Sequence, residues 1–346
     1  MKKKIVILTD YNGFFGSKYN AEPYLSGFDL KLLSDIFSSF SYEVSYMKLH
    51  EVINVSPELW REKIVLYTSS EDTSYKYKQF IEDIVLYLSI CGARLLPNYY
   101  HLRANNNKVF MELFGKKIAG KDIYTLKSGI HGCYEDILSQ IDKIELPVVI
   151  KMSEGAQSRG VFLAKTINEL KKYSKKVSRS SNIVRELWEI GRSIKYNNYS
   201  RESKYRNKFV TQQFIQNLKS DYKILVYGDI YYILERAIRE NDFRASGSKF
   251  NYKFGSHVNL PKGILDFAER YTKILDLPNV SLDIGFDGIN FFVFEFQSIY
   301  FGSSTHLKSD GFYTKEDGKW LFKDTIYTLE YVFSYSVDQY LTKTSS

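Results

Sequence analysis

The chain has 346 residues, 44% hydrophobic and 25% charged, which is ordinary for a soluble globular protein and long enough for two domains. No apolar run approaches the roughly 18 residues that a membrane helix needs, and Asp10 interrupts the short apolar run at the start, so neither a membrane span nor a signal peptide is expected. Two cysteines and five histidines without clustered spacing exclude a disulfide framework, argue against a zinc site and indicate a cytoplasmic protein.

Strands and helices are predicted to alternate over the first third of the chain. The predicted strands are residues 5–9, 42–46, 63–68 and 94–97, and the predicted helices are residues 28–37 and 77–91. Strands that alternate with helices indicate a parallel sheet. Residues 1–104 are therefore predicted to form an N-terminal α/β domain.

A second region, residues 105–208, begins with a predicted helix over residues 105–113 and continues into strands and loops. Residues 148–150 and 161–164 predict two strands. The loop between them contains glycine and is longer than the tight turn of most hairpins. Lys151 stands where the first of these strands opens into the loop.

The net charge of +8 is concentrated in one segment of this region. Residues 171–208 hold twelve Lys and Arg against Glu186, Glu189 and Glu202, a net charge of +9, so the other 308 residues sum to −1. Two interpretations are open. The segment is either a solvated, partly helical face, or a docking surface for an anionic partner such as a phosphorylated carrier, an acidic glycan, an acidic tail or a nucleic acid.

Residues 209–305 predict a third region, and residues 306–346 a C-terminal extension. The third region contains a strand at residues 209–215, hairpins pairing 222–226 with 230–237 and 280–286 with 291–296, and a helix at residues 265–275. The extension is predicted to end in a helix over residues 325–341.

The second of these hairpins carries acidic and amide side chains on apolar strands. Glu295 and Gln297 are two residues apart and so point to one face, while Asp283 lies on the partner strand. Acidic residues in such a context are unfavourable unless they are paired or bind a metal ion. Oxygen ligands of this kind suit Mg²⁺, which takes one or two carboxylates plus nucleotide phosphates. The alternative is that these residues face solvent at the edge of the strand.

Several motifs resemble those of ATP-grasp enzymes, in particular the ribosomal-protein glutamate ligase and its relatives. The phosphate-covering hairpin of these enzymes resembles the stretch Lys151-Met152-Ser153-Glu154-Gly155-Ala156-Gln157-Ser158-Arg159-Gly160-Val161, and their hinge strand resembles residues 211–215. Their D-Y-R motif resembles Asp221-Tyr222-Lys223, and their E-R and D-F-R motifs resemble Glu235-Arg236 and Asp242-Phe243-Arg244. Their metal-binding M-E-V-N motif resembles Phe294-Glu295-Phe296-Gln297. The resemblance covers about residues 105–305. It implies an α/β (α+β) protein in which an ATP-grasp fold follows an N-terminal parallel-sheet domain.

The resemblance also implies a set of site residues, with ATP and two Mg²⁺ ions as cofactors and Mn²⁺ as the alternative metal. Nucleotide binding is implied for Lys108, Lys151, Ser153, Glu154, Gly155, Gln157, Gln213, Phe214, Ile215 and Asp221, metal binding for Asp283, Glu295 and Gln297, and steadying of an acyl phosphate for Arg236 and Arg244. The residue types suit these roles, because lysine places a point charge on phosphates and arginine forks match phosphate oxygens. Backbone groups of Gln213 and Phe214 are expected at adenine and Asp221 at the ribose. Alternatively, Lys108 is solvated and Asp221 is a turn residue.

The implied activity is that of an ATP-dependent carboxylate–amine ligase, which joins a carboxylate substrate to an amine acceptor through an acyl phosphate. The chain departs from the family pattern in four ways. Gln297 replaces an asparagine, Gln213 replaces a hinge glutamate, Ala245-Ser246 replaces the Ser-Asn of the D-F-R-S-N motif, and no proline follows the metal strand. An acidic glycan, a peptide or a carrier is the expected substrate. A kinase on the same fold and a non-catalytic nucleotide-binding protein remain as alternatives, and the sequence leaves the oligomeric state open, a homo-oligomer included.

Overall fold

The computed structural model describes residues 3–16, 27–123, 126–155, 160–216, 218–239, 243 and 251–344. Its strands form a parallel sheet and two antiparallel sheets, with helices packed on them, so the fold is mixed α/β as predicted. Within the described residues, every helix is too short or too polar to cross a membrane. Short 3₁₀ helices lie at Leu49–Asn54, Pro57–Trp60, Thr73–Tyr75, Ile141–Lys143 and Gly255–His257.

The N-terminal part of the chain is built on the parallel sheet. Its elements are β1 (Lys3–Thr9), α1 (Leu30–Ser39), β2 (Tyr42–Lys48), β3 (Ile64–Tyr67), α2 (Lys76–Ile90), β4 (Arg94–Leu96) and α3 (Tyr99–Ala104), and the strand order is β2-β1-β3-β4. Asp29 and Asn98 start α1 and α3 by accepting hydrogen bonds from backbone N–H groups of the first turn. The predicted alternation of strands and helices is confirmed.

A small antiparallel sheet follows. Its elements are α4 (Lys108–Ile123), β5 (Ser128–His131), α5 (Tyr134–Leu138), β6 (Val148–Met152), β7 (Val161–Ala164), α6 (Ile167–Ser178), α7 (Ile183–Lys195) and β8 (Phe209–Gln213), and the strand order is β5-β8-β6-β7. Strands β6 and β7 pair from Val148 with Ala164 to Lys151 with Val161, which confirms the predicted hairpin. The basic segment 171–208 contains the end of α6 and all of α7, so it is partly helical as predicted.

The large sheet contains the remaining strands. Its elements are β9 (Ser220–Tyr227), β10 (Ile230–Ala237), β11 (Tyr252–Phe254), α8 (Ile264–Leu275), β12 (Asn279–Phe286), β13 (Phe291–Gln297), α9 (Ser304–Lys308), β14 (Phe312–Glu316), β15 (Lys319–Lys323) and α10 (Leu329–Lys343). The order is β13-β12-β9-β10-β14-β15, and β11 also pairs with β10. Both predicted hairpins are confirmed.

The sequence analysis missed the hairpin β14–β15, where it predicted only the helix now seen as α10. Glu316 pairs with Lys319 across the two-residue turn Asp317-Gly318. Both turn residues have positive φ, +47° and +75°, as the tight turn favoured between antiparallel strands requires. The Asp-Gly pair was therefore a hairpin signal in the sequence, and β14 and β15 extend the large sheet.

One face of the large sheet is apolar toward one end of its strands and charged toward the other. Toward one end of β9, Leu225 and Tyr227 pack with the N-terminal sheet and α10 in a common apolar core. Toward the other end, Asp221 and Lys223 have the same strand parity and so point to the same side. Helices α4 and α8 cover the opposite face. The N-terminal part and α10 thus cover the apolar half of this face, and the charged half is left for β6 and the start of α4.

We predict that Leu225→Ala lowers the free energy of unfolding by about 2–5 kcal/mol, because it leaves a cavity in the core between β9, the N-terminal sheet and α10. Leu225 has no exposed surface. Urea unfolding followed by circular dichroism measures the change. The matched control is Leu86→Ala at a 40% exposed position of α2, where a change within about 0.5 kcal/mol is expected. Equal losses in the two variants would contradict the prediction.

Candidate active site

Strands β12 and β13 bring the predicted metal ligands side by side. Asp283 pairs with Glu295, and Ser281 with Gln297, in the antiparallel register. The side chains of Asp283, Glu295 and Gln297 therefore lie on one face of the sheet. The predicted arrangement of two carboxylates opposite each other across a hairpin is confirmed, while metal binding stays a prediction.

A β-bulge interrupts this hairpin beside the carboxylates. Glu295 pairs with Asp283 but Val293 pairs with Ile284, so Phe294 is the extra residue on β13. The Phe294 ring lies against Gly285, where an added Cβ would collide with it. Strict alternation along β13 would send Phe294 and Glu295 to opposite faces. The bulge instead lets both reach the side that carries Asp283.

A buried ion-pair cluster holds Asp283. Arg236 Nε donates to Asp221 Oδ1, while Arg236 Nη2 lies 3.1 Å from Asp283 Oδ2. Lys223 Nζ lies 3.3 Å from the other oxygen of Asp283. Burial favours a raised pKa at Asp283, but the charges of Arg236 and Lys223 outweigh it and lower that pKa to about 2. Asp283 is therefore a carboxylate at neutral pH. Burial raises the pKa of Asp221, against the attraction of Arg236.

Two lysines approach Glu295 from the small sheet and from α4. Lys108, the first residue of α4, is 7% exposed, and its Nζ lies 3.7 Å from Glu295 Oε1. Lys151 Nζ lies 5.7 Å from the centroid of the Phe294 ring. Burial lowers the pKa of Lys151, Glu295 opposes the shift, and Lys108 adds to it. Buried Lys108 and half-buried Lys151 thus both lie near Glu295, and Glu112 and Asp283 add attraction at Lys151. Two cations brought together in this way favour an anionic ligand.

The loop after β6 is fixed to the start of α4. Lys108 donates from its backbone N to Ser153 O at 2.9 Å and from its Nζ to Gly155 O at 3.1 Å. Ser153 Oγ donates to Asn107 Oδ1, which also accepts from Lys208 Nζ at 3.1 Å. Gly155 has a φ of +131°, and a residue with a side chain would be strained in this backbone conformation. Lys208 Nζ lies 3.8 Å from Glu154. Gln157, also predicted for this loop, lies outside the described residues.

The end of β8 borders a small apolar cluster. Ile215 is buried with Leu126 and Phe292, and Leu218 and Phe294 pack against them. These side chains form an apolar wall of the kind on which a planar base packs. Gln213 donates its backbone N–H to Lys127 O at 2.8 Å, so a hydrogen bond from the Gln213 backbone to a base would use its carbonyl oxygen.

Two further predicted site residues are Asp221 and Arg244. Asp221 lies on β9 in the Arg236 ion pair, beside the predicted metal ligands, and its role at a ribose stays a prediction. It is a strand residue, so the alternative of a turn residue is wrong. Arg244 is outside the described residues. Its neighbour Phe243 has its ring 6.5 Å from that of Phe214.

The structure adds three residues that the sequence analysis did not assign to the site, namely Lys208, Lys223 and Phe294. Lys223 had a signal, because it is two residues from Asp221 and so shares its face of β9. Lys208 comes immediately before β8 and meets the loop only through tertiary contacts. Phe294 depends on the bulge, which the apolar pattern of β13 does not reveal.

The donor set fits magnesium held together with a nucleotide. Among the described residues, no group of three or more His, Cys, Asp or Glu side chains is placed to hold a metal ion alone. Asp283, Glu295 and Gln297 offer two carboxylates and an amide oxygen, and the Glu295 side chain is 27% exposed. Mg²⁺ commonly uses one or two carboxylates and takes its other ligands from phosphates and water.

Comparisons with known proteins bear on the family and the fold of this chain. A family model described as a RimK-like ATP-grasp domain matches residues 106–300. The fold is similar to that of a RimK domain protein from Sphaerobacter thermophilus DSM 20745, with 13% identity, coverage of 97% of this chain and 98% of that chain, and a TM-score of 0.51. No curated relative matches the sequence.

Two further solved structures share the fold. D-cycloserine synthetase DcsG is 11% identical, with coverage of 98% and 99% of the two chains and a TM-score of 0.54. The ATP-grasp ligase PsnB, complexed with a precursor peptide and AMPPNP, is 9% identical, with coverage of 99% and 98% and a TM-score of 0.53. At these identities the likeness concerns the fold. Because the family model matches more than half of this chain, the chain belongs to the RimK-like ATP-grasp family.

Proposed function

We propose that this protein is an ATP-dependent carboxylate–amine ligase that acts through an acyl phosphate and releases ADP. One observation carries the proposal. Lys108 and Lys151 converge with Asp283 and Glu295 around one space, and the apolar cluster at Ile215 borders β8 nearby. The lysines and carboxylates suit a triphosphate with magnesium, and the apolar cluster suits a base. The membership of the ATP-grasp family supports ATP as the nucleotide.

The lysines and the carboxylates have separate tasks in this proposal. Lys108 and Lys151 neutralise the phosphates from one side, and the backbone of residues 153–155 adds N–H groups there. Asp283, Glu295 and Gln297 would hold Mg²⁺, or Mn²⁺ as the alternative ion, from the other side. A bound ion would supply charge neutralisation to the phosphates. Arg236 is paired with both Asp221 and Asp283, so we assign it to orienting Asp283. We assign the stabilisation of the acyl phosphate to Arg244.

The reaction consists of two transfers on the substrate. A carboxylate oxygen attacks the γ-phosphorus, the bond from this phosphorus to the β–γ bridging oxygen breaks, and ADP leaves. The amine then attacks the acyl carbon, phosphate departs with the acyl C–O bond electrons, and the amine loses a proton. The site contributes position and charge neutralisation, and no side-chain nucleophile is needed. Candidate acyl donors are an acidic glycan, a peptide or a carrier. PsnB, which shares the fold, was solved with a precursor peptide.

The test is a screen for ADP release with magnesium and ATP, in which amines are paired with acidic sugars and peptides. A ligase releases ADP in a manner that depends on both substrates, and hydroxylamine traps the acyl phosphate as a hydroxamate. ADP release with no amine present and a stable phosphorylated product would instead identify a kinase. Binding of ATP without turnover on any pair would identify a non-catalytic nucleotide-binding protein.

Lys151→Ala is predicted to weaken ATP binding by about 1.5–3 kcal/mol, because it removes a charge-assisted contact to phosphate. Isothermal titration calorimetry with ATP and magnesium measures the affinity. Lys127→Ala is the control, since the Lys127 side chain is 68% exposed and forms a surface ion pair with Glu145 at 3.0 Å. An unchanged affinity in Lys151→Ala would remove the assignment of this loop to phosphates.

Glu295→Gln is predicted to raise the magnesium concentration needed for half-maximal ADP release and to lower the maximal rate at least tenfold, because an amide replaces a charged ligand. Gln297→Asn should lower the rate without abolishing it. Asp283→Asn should resemble Glu295→Gln but also destabilise the fold, because Arg236 and Lys223 lose a buried partner. Glu145→Gln, at a 76% exposed side chain, is the control. Magnesium dependence equal to that of the control would contradict the metal site.

A further inference from the structure

Helix α7 carries its apolar side chains on the outside. Ile183, Leu187 and Ile194 recur at helical spacing, and Val184 and Trp188 lie on the adjoining row. These five side chains are 62–77% exposed. A helix that packs on a protein normally turns such a face inward. An exposed apolar patch on the order of several hundred Å² marks an interaction site.

The inward face of α7 is charged. Glu189 is 6% exposed and accepts from Tyr199 Oη at 2.7 Å and from Glu202 N at 3.2 Å. Arg185 Nη2 lies 3.3 Å from Glu189 and 3.1 Å from Glu202. Glu186, one turn before Ile190, is paired with Arg179. Polar contacts therefore fix the helix to the protein, and they leave its apolar face uncovered.

The segment that contains α7 is strongly basic at its surface. Its exposed cations are Lys171, Lys172, Lys175, Lys176, Arg179, Arg185, Arg192, Lys195, Arg201, Lys204 and Arg206. Only three glutamates in the segment, Glu186, Glu189 and Glu202, oppose them, and the net charge of 171–208 is +9. Arg192 and Lys195 lie on α7 itself, next to the apolar rows.

We propose that α7 docks the protein on the surface of an anionic lipid bilayer. Its apolar face would enter the boundary between headgroups and acyl chains, with Trp188 at headgroup depth and the surrounding Lys and Arg on lipid phosphates. This combination of an apolar face with tryptophan and a Lys/Arg-rich surround is the signature of helices that lie in the plane of a membrane surface. Each cation near such a surface adds to the attraction. The inference does not rest on the proposed ligase activity.

Other occupants fit the observations less well. A soluble polyanion, such as a glycan or a nucleic acid, would use the lysines but leave Leu187 and Trp188 in water. A second copy of the chain would set one +9 segment against another, and this like-charge contact is unfavourable. An acidic bilayer matches the charge and the apolar face together.

Docking through α7 would also orient the candidate active site. The segment that follows α7 is tied to the helix by the pair Arg185–Glu202. The same segment ends at Lys208, which contacts Asn107 and Glu154 of the phosphate loop. A bilayer that holds α7 would therefore hold the cleft close to the membrane surface, where an acyl donor or an amine carried on a lipid is presented.

The test uses the full chain with two kinds of vesicle, phosphatidylcholine alone and equal parts of phosphatidylcholine and phosphatidylglycerol. We expect flotation with the anionic vesicles and a blue shift of tryptophan fluorescence. Of the three tryptophans, Trp188 is the exposed reporter, at 65% exposure, whereas Trp60 is buried and Trp320 is half-buried with its Nε1 donating to Asp266. The double variant Leu187→Gln with Trp188→Gln should reduce the bound fraction at least tenfold. The matched control is Ile53→Gln with Ile326→Gln, at positions 74% and 79% exposed outside α7.

The charge component has its own variant. Lys175→Gln with Lys176→Gln should weaken binding to the anionic vesicles about tenfold, and added salt should weaken binding of the unaltered chain. No binding to anionic vesicles, or equal binding by the Leu187/Trp188 variant, would overturn the proposal. A concentration-dependent dimer in sedimentation, lost in that variant and unaffected by vesicles, would identify α7 as a self-association surface instead and would equally overturn it.

Discussion

The buried cluster of Arg236, Asp221, Asp283 and Lys223 is the constraint on which the candidate active site depends. These groups lie on largely buried strands, so each charge must find an opposite charge within the sheet. Arg236 therefore spans Asp221 and Asp283, and Lys223 takes the remaining oxygen of Asp283. This pairing keeps Asp283 ionised and fixes its direction, and the strand register sets Glu295 beside it.

The division of one sheet face into an apolar and a charged half decides where the site lies. The N-terminal sheet and α10 cover the apolar half through Leu225 and Tyr227. The charged half is met instead by Lys151 from the small sheet and Lys108 from the start of α4. The site is thus assembled from two sheets and a helix terminus, which explains why its cations and carboxylates are far apart in sequence.

Helix α7 differs from the core in that its apolar side chains face solvent. Around Arg236, charges are buried because they are paired, and apolar neighbours shield them. In α7, Glu189 is likewise buried by pairing, but Leu187 and Trp188 remain in water. An uncovered apolar face is unfavourable for the isolated chain, so this helix is best understood as one side of an interface. The basic surround of α7 gives that interface an anionic partner.

The sequence by itself determined most of the helices and strands, the predicted hairpins and the motifs that relate this chain to ATP-grasp proteins. These features depend on local periodicity and short spacings. It also placed Glu295 and Gln297 on one face, since strand parity is local, whereas the register with β12 set Asp283 beside them. The Asp317-Gly318 turn was a local signal too, although it was overlooked. Three features were decided only by the tertiary structure. The bulge that turns Phe294 toward Glu295 depends on the register with β12. The engagement of Arg236 by two carboxylates depends on strands brought together by the sheet, and the outward direction of the apolar face of α7 depends on charged contacts with residues 199–202. In each case the deciding contact joins groups that only folding brings together, so the order of residues along the chain does not reveal it.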